Sequence, residues 1–331
     1  MHHKTVLYLI LLLGLAISVL VTPFDLLWTQ YLAEHDMPLF SKFMKQSLFN
    51  REWPGASDLS IVIGLFVLSL YIYSQFKQNL SQRLTLYKPI IGYLAFTALT
   101  SPLLIHVVKI IINRPRPSLV FAATKTADWT PHYFFHPWYA FSSHFWLVET
   151  FSCSFPSGHT ASAMYLLAIS YALYSMPHDS MPHRKLNSII FGVSVFIFAC
   201  LMSVARAMTL HHWITDSIAS IIIMFLFLHV SYFYILNIPQ QIQYINGTSS
   251  PQKFPKFFEL HLFIWILFCA LGAVVFSQSI KEIFTTNLKP IWQTVLWVVF
   301  TIFGVALILI GSVKLWRYKR FCHKNVTNSN S

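Results

Sequence analysis

Long apolar runs alternate with short polar joints along the whole chain. Runs rich in Leu, Ile, Val and Phe cover about 5–22, 59–75, 89–112, 158–175, 188–205, 214–236, 258–277 and 291–312. Each is close to the roughly 20 residues that a helix needs to cross a bilayer core. The pattern predicts an all-α, polytopic transmembrane helical bundle of about eight spans. The first run is expected to be a retained helix rather than a cleaved leader: only Lys4 charges its start, and Val21-Thr22-Pro23 is a poor cleavage site.

Composition sharpens this picture. Of 331 residues, 56% are hydrophobic and only 10% are charged, against about 25% charged in a soluble domain; the mean hydropathy is +0.58. So little polar surface predicts an integral membrane protein. The formal net charge of +12 does not point to nucleic acid, because the cations sit in short joints and form no basic domain face. They orient the bundle instead. With the N-terminus inside, the inner joints hold Lys4, Lys77, Arg83, Lys88, Arg184, Lys185, Lys253, Lys256, Lys314, Arg317, Lys319, Arg320 and Lys324. Once Lys109, Arg114, Arg116 and Arg206 are set aside as candidate site residues, the outer joints hold fewer. The positive-inside rule then predicts both termini in the cytoplasm.

The expected layout is a first helix over 1–22, an outer interfacial segment over 23–57, and a helical core over 58–236 with an outer loop at 113–157. Two additional helices over 237–312 and a basic tail over 313–331 follow. Trp129, Trp138 and Trp146 make the outer loop aromatic and suit either interfacial anchoring or a lid. Residues 321–331 are expected to be disordered. The sequons at Asn246 and Asn325 fall on the inner side and are expected to be unused. Cys153, Cys200, Cys269 and Cys322 have no metal-type spacing and predict no disulfide framework. His132 and His136 have i, i+4 spacing, but an interfacial role suits them better than zinc.

Three stretches at the ends of apolar runs carry candidate chemistry. Lys109 and Arg116 are about two helical turns apart and would share a face, although Pro115 and Pro117 should end the helix near Asn113 and leave Arg114 and Arg116 in the exit loop. A Lys ammonium and an Arg fork both suit phosphate oxygens, although snorkelling cations would also look like this. Pro156-Ser157-Gly158-His159 opens the fourth run. Ser157 is a candidate N-cap, Gly158 lets an anion approach backbone N–H groups, and His159 stands where it could donate a proton. His212 and Asp216 are i and i+4, so on a helix they would face each other, and the carboxylate would fix the imidazole tautomer and free the other nitrogen for attack. His211 is five residues from Asp216 and falls on another face. Arg206 precedes them. Ionisable groups at membrane depth are costly, which makes a functional grouping the default reading.

The order Lys-x6-Arg-Pro, Pro-Ser-Gly-His and Arg-x5-His-x3-Asp resembles the type 2 phosphatidic acid phosphatase (PAP2) superfamily, which includes lipid phosphatases and vanadium haloperoxidases. It covers about residues 60–235. One position departs: Ala205 stands where the family usually has Ser. The resemblance implies that His212 attacks phosphorus to form a phosphohistidine, that Asp216 supports it, and that His159 protonates the leaving oxygen. Lys109, Arg116, Ser157, Gly158 and Arg206 would hold the phosphoryl oxygens, with no metal and no cofactor.

The implied activity is hydrolysis of a phosphorylated membrane lipid at the outer, periplasmic face of a bacterial inner membrane. The expected partners are that lipid and the membrane, with no nucleic acid and no oligomeric state assigned. Undecaprenyl diphosphate, phosphatidylglycerol phosphate, phosphatidic acid and lipid A are candidate substrates, and the aromatic outer loop favours lipid A or a polyprenyl diphosphate. The alternatives are a lipid phosphotransferase using the same site and a non-catalytic lipid-binding protein.

Overall fold

The computed structural model describes residues 3–46, 58–76, 82–112, 114–124, 153–176, 181–245, 257–285 and 291–327. Among these residues there are helices and no strand, and the chain is an all-α polytopic bundle. Trp129, Trp138, Trp146, His132, His136 and the sequon Asn246 lie outside the described residues.

The helices are α1 (His3–Val21), α2 (Asp25–Glu34), α3 (Pro38–Gln46), α4 (Asp58–Phe76), α5 (Gln82–Ile112), α6 (Pro117–Thr124), α7 (Gly158–Tyr165), α8 (Leu167–Ser175), α9 (Arg184–Met208), α10 (Ile214–Val230), α11 (Ile238–Ile245), α12 (Phe258–Thr285) and α13 (Ile291–Thr327). Every apolar run is helical. Among the described residues six helical segments are long and apolar enough to cross a membrane. The expected count of eight is reached only by adding two weaker runs. The apolar part of α4 is shorter, Ile61–Phe76. The run 158–175 is divided at Leu166, where the Leu166 N–H bonds back to Ala163 and Ile169 N–H to Leu166, both with the tight i→i−3 spacing.

The core lies where α5, α7, α8, α9 and α10 meet. Tyr93 and Phe96 from α5, Ala163 and Met164 from α7, Ala168 from α8, Ala199 and Met202 from α9, and Met224 and Leu228 from α10 are all essentially inaccessible. Small residues on α7, α8 and α9 let the backbones approach, as membrane helices require in the absence of a hydrophobic drive between them. The hydroxyls of Thr97, Thr100 and Ser101 turn back onto carbonyls one turn earlier in α5, so they do not face lipid unsatisfied.

The last two long helices form a tight hairpin. A Cβ on Gly304 would lie 2.7 Å from Phe276 N and 2.8 Å from Gly272 O, so the α12 and α13 backbones touch because both positions are Gly. α12 also packs on α5, and its Glu259 accepts a 2.9 Å hydrogen bond from Tyr71 of α4.

α2 and α3 pack on α9. α1 leads into α2 through a 3-10 turn, Thr22–Phe24. The interfacial segment expected over 23–57 therefore has a tertiary role, at least over its described part. The end of α5, the start of α7, the end of α9, the start of α10 and the start of α2 all meet at one end of the bundle. Lys4, Lys88, Arg184 and Lys185 lie at the opposite helix ends.

Candidate active site

Three backbone crossings tie the site segments together. Pro115 and Cys153 form an isolated antiparallel bridge, with the Ser154 N–H on Arg114 O at 2.6 Å. Ser118 N–H reaches Leu210 O at 3.0 Å. Ser157 N–H reaches Asp216 O at 3.3 Å, and Ser220 Oγ donates to both Ser157 O and Asp216 O. These bonds satisfy backbone groups buried at the helix ends and fix three distant segments around one space.

α9 ends in a Schellman turn. Leu210 N–H bonds to Ala207 O at 2.9 Å and His211 N–H to Arg206 O at 3.1 Å. The residue in the left-handed position is Leu210, with φ of 54°, where Gly is usual. This turn throws the chain back so that His212, 2% exposed, points into the bundle end.

His212 is where the sequence reading needs correction. It precedes α10, whose N-cap is Trp213, so His212 and Asp216 do not share a helix face. Nδ1 of His212 lies 2.7 Å from Ser154 O and 3.7 Å from Asp216 Oδ2. A carbonyl can only accept, so Nδ1 carries the hydrogen and Nε2 is left as the base. Asp216 instead caps the helix, accepting from Trp213 N–H at 2.9 Å, and pairs with Arg114 at 2.7 Å. His211 turns its Nδ1 to Thr209 O and stays outside the pair.

Arg114 also departs from its expected place among free loop cations. One guanidinium nitrogen meets Asp216 and Thr215 Oγ1, each at 2.7 Å; the other meets Asp25 Oδ2 at 2.8 Å. Its plane lies over the Trp213 ring, 5.1 Å from the centroid. Asp25 is 2% exposed and also takes the Thr215 N–H at 3.1 Å and the Thr215 hydroxyl. The two carboxylates raise the Arg114 pKa further against the opposing effect of burial.

The remaining predicted residues converge on His212. Burial first, then Lys109, Arg206 and Arg116, hold its pKa well below the ordinary imidazole range, so it is neutral. His159 faces it with ring centroids 6.5 Å apart. Neither Lys109 nor Arg206 has an acidic partner among the described residues. Arg206 is 5% exposed, and its buried Nε has no hydrogen-bond acceptor there. An oxyanion would satisfy such a buried donor. Gly158 is the first residue of α7, and its N–H has no acceptor within the helix. Ser157 is fully buried and its Oγ accepts from Thr160 N–H at 3.4 Å and Thr160 Oγ1 at 3.1 Å. Its visible task is capping, so its expected contact with phosphate gains no support from this arrangement. Ala205, 2% exposed, packs in the core.

Residues 90–240 match the family model described as the PAP2 superfamily. Lys109, Arg116, Ser157, Gly158, His159, Arg206, His212 and Asp216 all fall inside the matched residues, whereas Asp25 and α4 fall outside them. No curated protein and no solved structure matches the chain. Among the described residues no group of His, Cys, Asp and Glu is arranged to hold a metal.

The sequence reading missed Asp25, the Ser154 carbonyl and the role of Arg114. A backbone carbonyl has no sequence signal. Asp25 had a weak one, as an acid at the boundary of an apolar run, where an unpaired charge is costly.

Proposed function

We propose that this chain is a membrane phosphatase that releases phosphate from a phosphorylated lipid through a phosphohistidine at His212. The observation that carries this reading is the pair His159 and His212, 6.5 Å apart, beside Arg206 with its unsatisfied buried Nε. A phosphoryl group fits between two such rings, with a base on one side and an acid on the other. Lys109, Arg116, Arg206 and the Gly158 N–H supply positive charge for the three phosphoryl oxygens. Phosphoryl transfer depends mainly on that positioning and charge.

In this scheme the neutral Nε2 of His212 forms the N–P bond while the P–O bond to the lipid breaks, and His159 gives the leaving oxygen its proton. Water then attacks the phosphohistidine, His159 takes the proton, and the N–P bond breaks to return His212 and free phosphate. Throughout, Ser154 O holds the His212 ring by its Nδ1 hydrogen.

A lipid substrate is supported by an apolar cleft of about 170 Å³ that begins at Gly158. Leu65 and Leu68 of α4, Leu99 and Ile105 of α5, and Ala161 of α7 line it. An acyl or prenyl chain in this cleft would leave its phosphate at the start of α7. The aromatic sequence of 113–157 favours a bulky lipid such as lipid A or a polyprenyl diphosphate. The loop charges favour a site on the periplasmic face of a bacterial inner membrane.

Purified His212→Ala, offered phosphatidic acid, a polyprenyl diphosphate and lipid A in mixed micelles, should release no phosphate while eluting as the wild type does in size exclusion. Phosphate release at the wild-type rate by that variant defeats the assignment.

A further inference from the structure

Asp25 stands 89 positions before Arg114 in the chain, in a helix outside the residues that match the PAP2 model, yet it is buried against the machinery. Arg114 bridges it to Asp216, and Thr215 ties it to the first turn of α10 with both backbone N–H and hydroxyl. Two carboxylates share one guanidinium, so the trio carries a net single negative charge. Its Asp216 carboxylate stands 3.7 Å from Nδ1 of His212.

We infer that Asp25 is a positioning residue which keeps the charge of Asp216 available to His212 by taking half of Arg114. This rests on the phosphatase reading above. Without Asp25, both guanidinium nitrogens belong to Asp216 alone, which becomes one half of an even ion pair. His212 must gain positive charge as the N–P bond forms, within reach of Lys109 from the end of α5, Arg116 from the loop after it, Arg206 from α9, His159 from α7 and the neighbouring His211. Against those groups the only anions on its side are Asp216 and, through Arg114, Asp25 among the described residues. Coulomb interactions in a partly desolvated site are strong enough for one such charge to matter. The residues that bind and cleave phosphate would therefore take part of their electrostatics from the start of α2.

The test is Asp25→Asn in the full-length chain, purified in detergent, with rates measured from pH 4 to 9 on whichever lipid phosphate the wild type hydrolyses. Asn keeps the shape and removes the charge. The expected result is a fall in kcat of about tenfold or more, the scale for partners one layer behind a reacting group, with KM unchanged. The acid limb should move to lower pH by about 0.5 unit or more, because a less negative neighbourhood disfavours protonated His212. Asp25→Glu should recover part of both. A tie that only holds α2 in place would lower activity and leave the limb where it is in the wild type; that result, or wild-type kcat with an unmoved limb, overturns the inference.

If Asp25→Asn does not fold, Asp25→Asn combined with Arg114→Gln removes one anion and one cation together. Its acid limb should match the wild type, and a limb displaced upward overturns the inference. His212→Ala measured alongside separates the two ideas. Activity in that variant removes the phosphatase reading itself, whereas an inactive His212→Ala with a silent Asp25→Asn removes only the role given to Asp25.

Discussion

His212 donates from Nδ1 to the carbonyl of Ser154 at 2.7 Å, while the carboxylate of Asp216 stands 3.7 Å from the same nitrogen. Tautomer and charge support are thus supplied by different groups. Where one carboxylate provides both, its replacement by an amide costs about 10⁴ in kcat because the wrong tautomer forms. Asp216→Asn should cost less here, about 10²-fold, since Ser154 O still selects the Nδ1–H form. Steady-state phosphate release with folded variant protein checks this. A loss as large as that of His212→Ala would show that Asp216 also governs the tautomer.

The two arginines of the exit loop should behave differently. Arg114→Ala leaves Asp25 and Asp216 buried without their shared cation, and breaking a buried pair costs about 3–5 kcal/mol. Loss of folded protein, or a large drop in melting temperature, is the expected outcome. Arg116→Ala removes a half-buried pocket cation and should fold normally with weaker phosphate binding and slower turnover. Thermal unfolding in detergent and steady-state kinetics distinguish the pair.

Leu210 offers a backbone test. Its φ of 54° is tolerated by Gly and resisted by β-branched residues. Leu210→Val should destabilise by about 1–2 kcal/mol and slow turnover, because it strains the turn that aims His212. Leu210→Gly should keep the turn, with strain relief offsetting the lost half-buried side chain. Equal melting temperatures for the two variants would contradict this account.

The pH profile follows from the direction of one shift and from the roles given to the two histidines. Burial and the pocket cations hold His212 well below 6.5, so the acid limb of kcat/KM, which reports free enzyme, should lie below 6.5. Bound phosphate cancels part of that positive charge, so the limb of kcat should sit at higher pH. His159 can act as the acid only once the bound phosphate anion offsets the pocket cations, so loss of its proton in the complex gives the alkaline limb of kcat and makes that profile a bell. A flat profile from pH 5 to 8 excludes this division of labour.

Stability should fall over the same acid range. His211 is held at about 4, chiefly by burial and then by Arg206. Below 6.5 the unfolded chain binds protons that folded His211 and His212 refuse. Stability is therefore full above 6.5, declines as pH falls through 6.5, and for the His211 share levels near 4. Melting temperatures across that range check the sign.

Spacing along the chain singled out Lys109, Arg116, His159, Arg206 and His212, each at an apolar boundary where a charge needs a reason, and the fold brings them to one end of the bundle. Spacing failed wherever geometry depends on where a helix begins. His212 and Asp216 look like neighbours on a helix, yet α10 starts at Ile214, and the intervening turn gives His212 a carbonyl as its near partner. Arg114 and Arg116 look interchangeable two positions apart, but it is Arg114 that bridges Asp25 and Asp216. The Asp25 contact depends on how α1 and α2 pack, which hydropathy alone does not determine. The broken run at 158–175 was equally hidden, since Leu166 is an ordinary helix former.

The bridge from Asp25 through Arg114 to Asp216 also orders the assembly of the protein in time. The first of these groups is synthesised well before the last, which comes with α10. Until α10 docks, the carboxylate and the guanidinium lack the arrangement that neutralises them. A chain inserted only that far holds charge that still lacks its final partners, and the docking of α10 completes the bridge.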